Sequence, residues 1–296
     1  MPPRLLAVLT APSRDTPGAA PTGPVFRMAD VDHPVLNALD LGVTRGDGVF
    51  ETISIGSGRA QATEPHLGRL ARSAAMLEMP EPDLDAWRET VYALAEQLRD
   101  VPEAFAKLVY TRGVEGQDRP TGWVFAEASP DHAATRRDGI RVTVLDRGYA
   151  HDVVSTAPWL LQGAKTLSYA VNRAAVREAH RRGSDDVLFV SSDGFLLEGP
   201  TANLVLKRGD RLTTPATSLG ILAGTTQADA FSFARSRGLT TSYEVLTRDA
   251  LEDADALWLL SSVRHAAPIR AVDGVPKSVD AAFTADLNAF LVGRRD

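Results

Sequence analysis

Apolar side chains recur along this chain with two spacings. At helical spacing, Leu67, Leu70, Ala71, Ala74 and Leu77 share one face of a segment spanning 66–77, and Trp87, Val91, Leu94 and Leu98 share one face over 83–99. The same reasoning predicts helices over 168–182, 226–237 and 279–293, and a short acidic helix before 256. Runs of β-branched, aromatic and alternating residues predict strands at 4–10, 48–55, 59–62, 107–111, 123–127 and 140–146 in the first half. In the second half they predict strands at 186–191, 195–198, 203–207, 242–246 and 256–261. Gly56-Ser-Gly58 turns 48–55 into 59–62 as a hairpin. Residues 11–24, rich in Pro, Gly and Ala, read as a surface loop. Residues 147–163 show no period and contain Gly148, Pro158 and Gly163, so they read as an interdomain connection. The pattern is α+β in two domains, 1–146 and 164–296.

Composition narrows the function more by exclusion than by assertion. The chain has 296 residues, 44% of them hydrophobic, enough for a sizeable core in one or two domains. Its net charge is −6, and no basic block offers a footprint for nucleic acid. Any anionic ligand must be met by local basic groups. There is no cysteine, which excludes disulfides, thiol nucleophiles and cysteine-ligated metals, and no metal site is expected. The opening Met-Pro-Pro-Arg-Leu-Leu-Ala-Val-Leu-Thr reads as a strand rather than a signal peptide, and no apolar run approaches the ~18 residues of a membrane helix. A cytoplasmic enzyme acting on small molecules is the expectation.

The chemistry concentrates at 165–203. Lys165-Thr-Leu-Ser-Tyr169-Ala-Val-Asn172 leads into a helical run. After Gly183 comes Asp-Asp-Val-Leu-Phe-Val-Ser-Ser-Asp-Gly-Phe-Leu-Leu-Glu198-Gly-Pro-Thr201-Ala-Asn203. Lys165 has small or apolar neighbours, and desolvation favours the neutral, nucleophilic amine. Glu198 follows the apolar run Phe195-Leu-Leu197, where a charge needs a partner. Leu219-Gly-Ile-Leu-Ala-Gly224-Thr225-Thr226 runs into a helix, whose N-terminal N–H groups suit a phosphate.

Together these residues resemble the catalytic core of the fold-type IV enzymes that use pyridoxal 5′-phosphate (PLP). That group holds branched-chain and D-amino acid aminotransferases and aminodeoxychorismate lyases. The resemblance runs from about residue 25 to 290 and implies a two-domain, D-amino acid aminotransferase-like fold. It implies that Lys165 carries the cofactor, that Glu198 meets the pyridine nitrogen and that Thr201 lies near the ring. It places Thr225, Thr226 and Arg69 (in His66-Leu-Gly-Arg69) on the phosphate, with Ser262 of the Ser261-Ser262 pair closing the cup. Tyr169 would reach the cofactor's phenolate oxygen, although its spacing from the lysine differs by about one residue from the transaminase pattern. Asn203 reads equally as functional or structural.

For the substrate, the resemblance points to Phe50 in Arg45-Gly-Asp-Gly-Val-Phe50-Glu51-Thr52, a residue that reads equally as core. It also points to Lys107 and Arg112 in Lys107-Leu-Val-Tyr110-Thr-Arg112-Gly113. Strand alternation puts those two on opposite faces, so at most one faces a pocket. The Thr111-Arg112-Gly113 strand end with Lys107 before it favours the lyase group. Ser168, where lyases usually carry Asn, favours a transaminase of branched-chain or D-amino acids, and a non-catalytic PLP-carrying protein is a third reading. The expected assembly is a homodimer.

Overall fold

A computed structural model describes residues 3–14 and 23–294. Most of the loop predicted at 11–24 lies outside the described residues. The chain forms two units. The first holds residues up to 130, together with 164–169 and the C-terminal tail. The second holds 131–163 and 170–293.

The first unit opens with β1 (Leu5–Leu9), β2 (Phe26–Ala29), a single turn α1 (Leu41–Thr44), β3 (Gly48–Gly56) and β4 (Arg59–Ala60). It continues with helices α2 (Thr63–Met76) and α3 (Leu84–Gln97) and strands β5 (Glu103–Thr111) and β6 (Thr121–Ala128). The strands form one antiparallel sheet in the order β2-β1-β6-β5-β3-β4. Asp83 starts α3 by accepting from the N–H groups of Asp85 and Ala86. Along β5, Ala104, Ala106, Leu108 and Tyr110 are buried, and Tyr110 meets the α3 residue Trp87 ring to edge at 5.9 Å. The alternate residues Phe105 and Lys107, with Trp123 and Phe125 of β6, are only half-buried or exposed. One sheet face is therefore core, and the other is free to carry chemistry.

The second unit begins with α4 (Ala133–Asp138), β7 (Ile140–Asp146), the short helix α5 (Val153–Thr156), α6 (Ala170–Arg181), β8 (Asp186–Val190), β9 (Asn203–Arg208) and β10 (Arg211–Pro215). It then runs through α7 (Thr225–Ser236), β11 (Thr240–Glu244), α8 (Ala250–Asp253), β12 (Ala256–Ser261), β13 (His265–Val272), β14 (Val275–Pro276) and α9 (Ala281–Gly293). Its eight strands follow the order β11-β10-β9-β12-β13-β7-β8, with β14 on β13. β12 is buried on both sides. Leu257 and Leu259 join one cluster with Leu204, Leu206 and Leu188, while Ala256, Trp258 and Leu260 join another with Phe231, Phe233 and Leu291 of the helices. That explains its unbroken apolar run, since a strand covered on both faces has no polar positions.

Three expectations change. The first unit stops near 130, not 146, because β7 pairs in parallel with β8 and β13 of the second unit. Residues 164–169 belong to the first unit, and the helix after the lysine starts only at Ala170. Residues 195–198 form isolated bridges rather than a strand, because each edge finds a different partner: Leu196 with Val190, Phe195 with Thr247. The strand β13 was not anticipated, since Pro268 at its centre argues against a strand. Pro268 is nonetheless placed opposite Trp258. Among the described residues, no helix is long and apolar enough to cross a membrane.

Trp258 is fully buried, and its Nε1–H donates to Thr284 Oγ1 of α9 at 2.8 Å. Trp258→Ala should cost about 3–5 kcal/mol in urea unfolding followed by circular dichroism. A loss below about 1 kcal/mol would contradict this account of the core.

Candidate active site

In the first unit the lysine is held by sheet hydrogen bonding. Phe50 N–H donates to the Lys165 carbonyl at 3.0 Å, Leu167 N–H donates to the Gly48 carbonyl at 2.8 Å, and Thr166 bridges Val49. The stretch therefore lies against β3 as one more short rung. Lys165 N–H also donates to Ser73 Oγ of α2 at 3.1 Å. Lys165 Nζ is then 4.4 Å from the Phe50 ring centroid. Lys107 Nζ stands 5.3 Å from the same centroid, and the Tyr169 ring meets it edge-on at 5.3 Å. Phe50 is half-buried and is the hub of this cluster, so Lys165, Tyr169, Phe50 and Lys107 come together. Beside them is a cavity of about 340 Å³ lined by Gly42, Val43, Lys107, Val109, Trp123, Phe125 and Leu167.

Arg112 is on the other face, as alternation requires. Its guanidinium grips Asp47 through Nε at 2.6 Å and Nη2 at 3.3 Å, and also donates to the Leu77 and Glu78 carbonyls. This is a brace between the turn before β3 and the end of α2.

Arg69 is buried on α2, not exposed. Its Nε and Nη2 donate to the two oxygens of Glu51 at 2.7 and 2.8 Å, and His66 Nδ1 lies 2.7 Å from the second oxygen. Glu51 and His66 are at most 1% exposed. Burial alone would raise the Glu51 carboxyl, but the charge and hydrogen bonds of Arg69, with those of His66, hold it far below the usual carboxylate range. Burial pulls His66 below its ordinary value, the Arg69 and Lys165 cations add to that, and Glu51 opposes it. The sequence reading named Arg69 but missed Glu51 and His66. The available signal was the i, i+3 spacing of His66 and Arg69 on one helix face.

In the second unit Glu198 accepts from Asn203 Nδ2 at 3.0 Å and from Leu222 N–H at 3.1 Å. The same Asn203 amide donates to the Leu222 carbonyl at 2.8 Å. Asn203 thus orients the carboxylate and ties it to the loop before α7. Gly224 ends that loop. A Cβ there would sit 2.0 Å from Asn203 Oδ1, so only glycine fits. Thr225 and Thr226 open α7 and are buried. Thr201 is exposed at the turn after Glu198, and Ser262 is half-buried in the turn from β12 to β13. Tyr149 lies near Glu198, with Arg147 beside it, in a stretch without period. Burial raises the Tyr149 phenol, the Arg147 cation opposes this, and the Glu198 charge adds to it. Arg147 sits 4.7 Å over the Phe189 ring.

These residues fit PLP. Thr226 Oγ1 is buried without a hydrogen-bond partner at the start of a 12-residue helix, as a phosphate-binding hydroxyl would be. Glu198 is a carboxylate with defined orientation, and Lys165 supplies the amine. Lys165 would hold the cofactor covalently, Glu198 would meet the ring nitrogen, and Thr225 and Thr226 would hold the phosphate.

Two outcomes follow from this geometry. Gly224→Ala should displace the Asn203 amide and weaken PLP binding roughly tenfold or more, measured by absorbance titration; unchanged affinity would mean the loop absorbs the methyl. The second concerns pH. Glu51 and His66 both have folded pKa values below their unfolded ones, so the unfolded chain binds more protons and stability rises with pH. The His66 contribution is present above the ordinary histidine value of 6.5 and is lost as pH falls below it. The Glu51 contribution is lost below 4.5. The urea midpoint should fall from neutral to acid pH, and His66→Gln should flatten the upper part of that fall. A midpoint that rises on acidification would contradict the assignment.

Comparison with known proteins agrees with this chemistry. Residues 48–272 match the amino-transferase class IV family model. A bifunctional aminodeoxychorismate lyase / D-amino acid transaminase from Mycobacterium tuberculosis is 43% identical over 251 residues, 81% of this chain and 87% of the relative. A fold IV-transaminase from Curtobacterium pusillum superposes with a TM-score of 0.94 at 55% identity, covering 99% of this chain and 100% of that one. An aminotransferase from Mycobacterium tuberculosis in its PLP-bound form superposes with a TM-score of 0.88 at 37% identity, covering 98% and 99%. The chain therefore belongs to the class IV aminotransferases, PLP-dependent enzymes of the two-domain α+β fold type IV.

Proposed function

We propose that this enzyme is a 4-amino-4-deoxychorismate lyase, releasing p-aminobenzoate and pyruvate. The observation that carries the reading is the cavity lined by Lys107 and Leu167. Trp123, Phe125, Val109 and Leu167 give it apolar walls, and Lys107 sets one cation among them. A planar ring bearing carboxylate groups suits such a mixture, because the ring buries against the aromatics while the carboxylate meets the ammonium. When bound, PLP supplies an electron sink for charge developing on the substrate. Lys165 Nζ then moves the proton as base and acid. Glu198, held by Asn203 and Leu222 N–H, keeps a negative charge at the ring-nitrogen position. Phe50 walls the lysine on one side, and its contact with both lysines keeps the amine and the carboxylate-binding cation in register.

Transamination is the second reading. It is favoured by the Curtobacterium relative, described as a transaminase, and by the bifunctional Mycobacterium relative. Both reactions use the same lysine and glutamate. They differ in whether the proton is returned to the cofactor side or the enolpyruvyl group departs. A cytoplasmic homodimer is the setting we propose, and sedimentation equilibrium of the holoenzyme at twice the monomer mass would support it.

The deciding assay is p-aminobenzoate release from aminodeoxychorismate by the PLP-loaded enzyme. Product formation that disappears in Lys165→Ala supports the lyase. Absence of product, with D- or branched-chain amino acids still changing the cofactor absorbance, would make it a transaminase. Glu198→Gln should retain the cofactor and lose roughly 10²-fold in turnover; full activity would remove the ring-nitrogen role.

A further inference from the structure

The turn between β12 and β13 in the second unit carries a guanidinium whose donors the chain only partly uses. Ser261 pairs with His265, so Ser262, Val263 and Arg264 form a three-residue hairpin turn. His265 closes it in the left-handed region, at φ 61°. Arg136 of α4 donates to the Val263 and Arg264 carbonyls at 3.1 and 3.0 Å, which fixes the backbone of the turn. The Arg264 side chain reaches Asp186, the first residue of β8. Nη1 donates to Asp186 Oδ2 at 2.8 Å, and the two side chains are 17% and 6% exposed. The other carboxylate oxygen, Oδ1, takes the Val187 N–H at 2.9 Å. One nitrogen of the guanidinium therefore meets one oxygen of the carboxylate. Nε and Nη2 are both buried, and neither has a hydrogen-bond partner among the described residues.

Buried donors are nearly always paired, because one left unpaired keeps the full cost of losing its water. Nε–H and Nη2–H are the two parallel donors on one edge of the fork, and their spacing matches the two oxygens of a carboxylate. A residue that served only to neutralise Arg264 would take that edge; Asp186 takes Nη1 alone and leaves the edge open. We infer that the Nε/Nη2 edge of Arg264 is a binding subsite for the carboxylate of a small-molecule ligand. Asp186 is its positioning residue: it anchors Nη1 and so sets the plane in which the other two donors lie. The subsite adjoins the turn that follows Glu198. One residue along β8 from Asp186, the Val187 carbonyl lies 3.0 Å from where a Cβ on Gly199 would sit. Residues 262–264 are half-buried, so the edge lies at the margin of the unit rather than in its core. Asp186 offsets part of the arginine's charge. Selectivity therefore rests on two directed donors, which favour a ligand with two acceptor oxygens over one with a single oxygen.

The test titrates the PLP-loaded, full-length enzyme calorimetrically with benzoate and with benzamide, which keeps the ring but has one acceptor oxygen and no charge. Native enzyme should bind benzoate roughly tenfold or more tighter than benzamide. Arg264→Lys keeps a cation for Asp186 but loses the fork. It should weaken benzoate roughly tenfold or more and leave benzamide within about twofold. Its cofactor absorbance should match that of the native enzyme. The double variant Arg264→Met/Asp186→Asn removes both buried charges, so it remains informative if Arg264→Lys does not fold, and it should lose the preference for benzoate as well. Three results would overturn the proposal: native enzyme with no preference for benzoate, variants that keep the native preference, or variants that lose the cofactor along with benzoate. The subsite serves a carboxylate in the lyase and transaminase readings alike, so failure to release p-aminobenzoate would remove the lyase reading and leave this one standing.

Discussion

The chemistry of this chain depends on one short piece of backbone pairing, the rung between Phe50 and Lys165. A lysine on a helix start would swing on a flexible four-carbon stem from a fraying end. Here the main chain on both sides of Lys165 is fixed to β3, and a third hydrogen bond reaches Ser73 on α2. The amine therefore starts from a rigid base, and the Phe50 ring 4.4 Å away limits where its tip can go. This arrangement also explains why six residues, 164–169, belong to the first unit while their flanks on both sides belong to the second. The lysine is contributed by the long-range fold, not by its local sequence.

The two carboxylates of the candidate site illustrate how environment assigns roles to identical groups. Glu51 is sealed from water and neutralised on two sides by Arg69 and His66, so its charge is consumed in holding them. Glu198 is half-buried and is held by an amide and a backbone N–H, neither of which carries charge. Within the first unit Glu51 thus acts as a brace for Arg69 and His66. Arg112 shows the converse. With Asp47 and two carbonyls around it, it has become part of the scaffold.

Helices α2, α3 and α7 and strand β12 were legible to within a few residues, because a long amphipathic face or an unbroken apolar run is a local signal. Lys165, Glu198 and the Gly224-Thr225-Thr226 loop stand out as a set in the sequence, because a helix N-terminus preceded by glycine has a readable chemistry, and their roles belong to the function we propose. What was hidden depended on distant partners. The pairing of β7 with β8 and β13 joins residues up to about 130 positions apart, and no window of sequence reports it. β13 was obscured by Pro268, and the role of Asn203 became clear only with Leu222 brought beside it. Glu51, next to Phe50 in a strand, looks like an ordinary outward-facing charge until Arg69 and His66 are placed behind it.

The open face of the first sheet carries Lys107, Trp123 and Phe125, and its composition bears on the choice between the two reactions we propose. Lys107 and Lys165 both approach the Phe50 ring, at 5.3 and 4.4 Å from its centroid. With Lys165 committed to the cofactor on our reading, Lys107 is the cation left beside the Trp123 and Phe125 walls, where a ring carrying a carboxylate would meet both kinds of contact. On the function we propose, substrate choice would turn on Lys107 more than on Arg112, although the two look alike in sequence, because strand alternation sets one toward the cavity and the other into a brace.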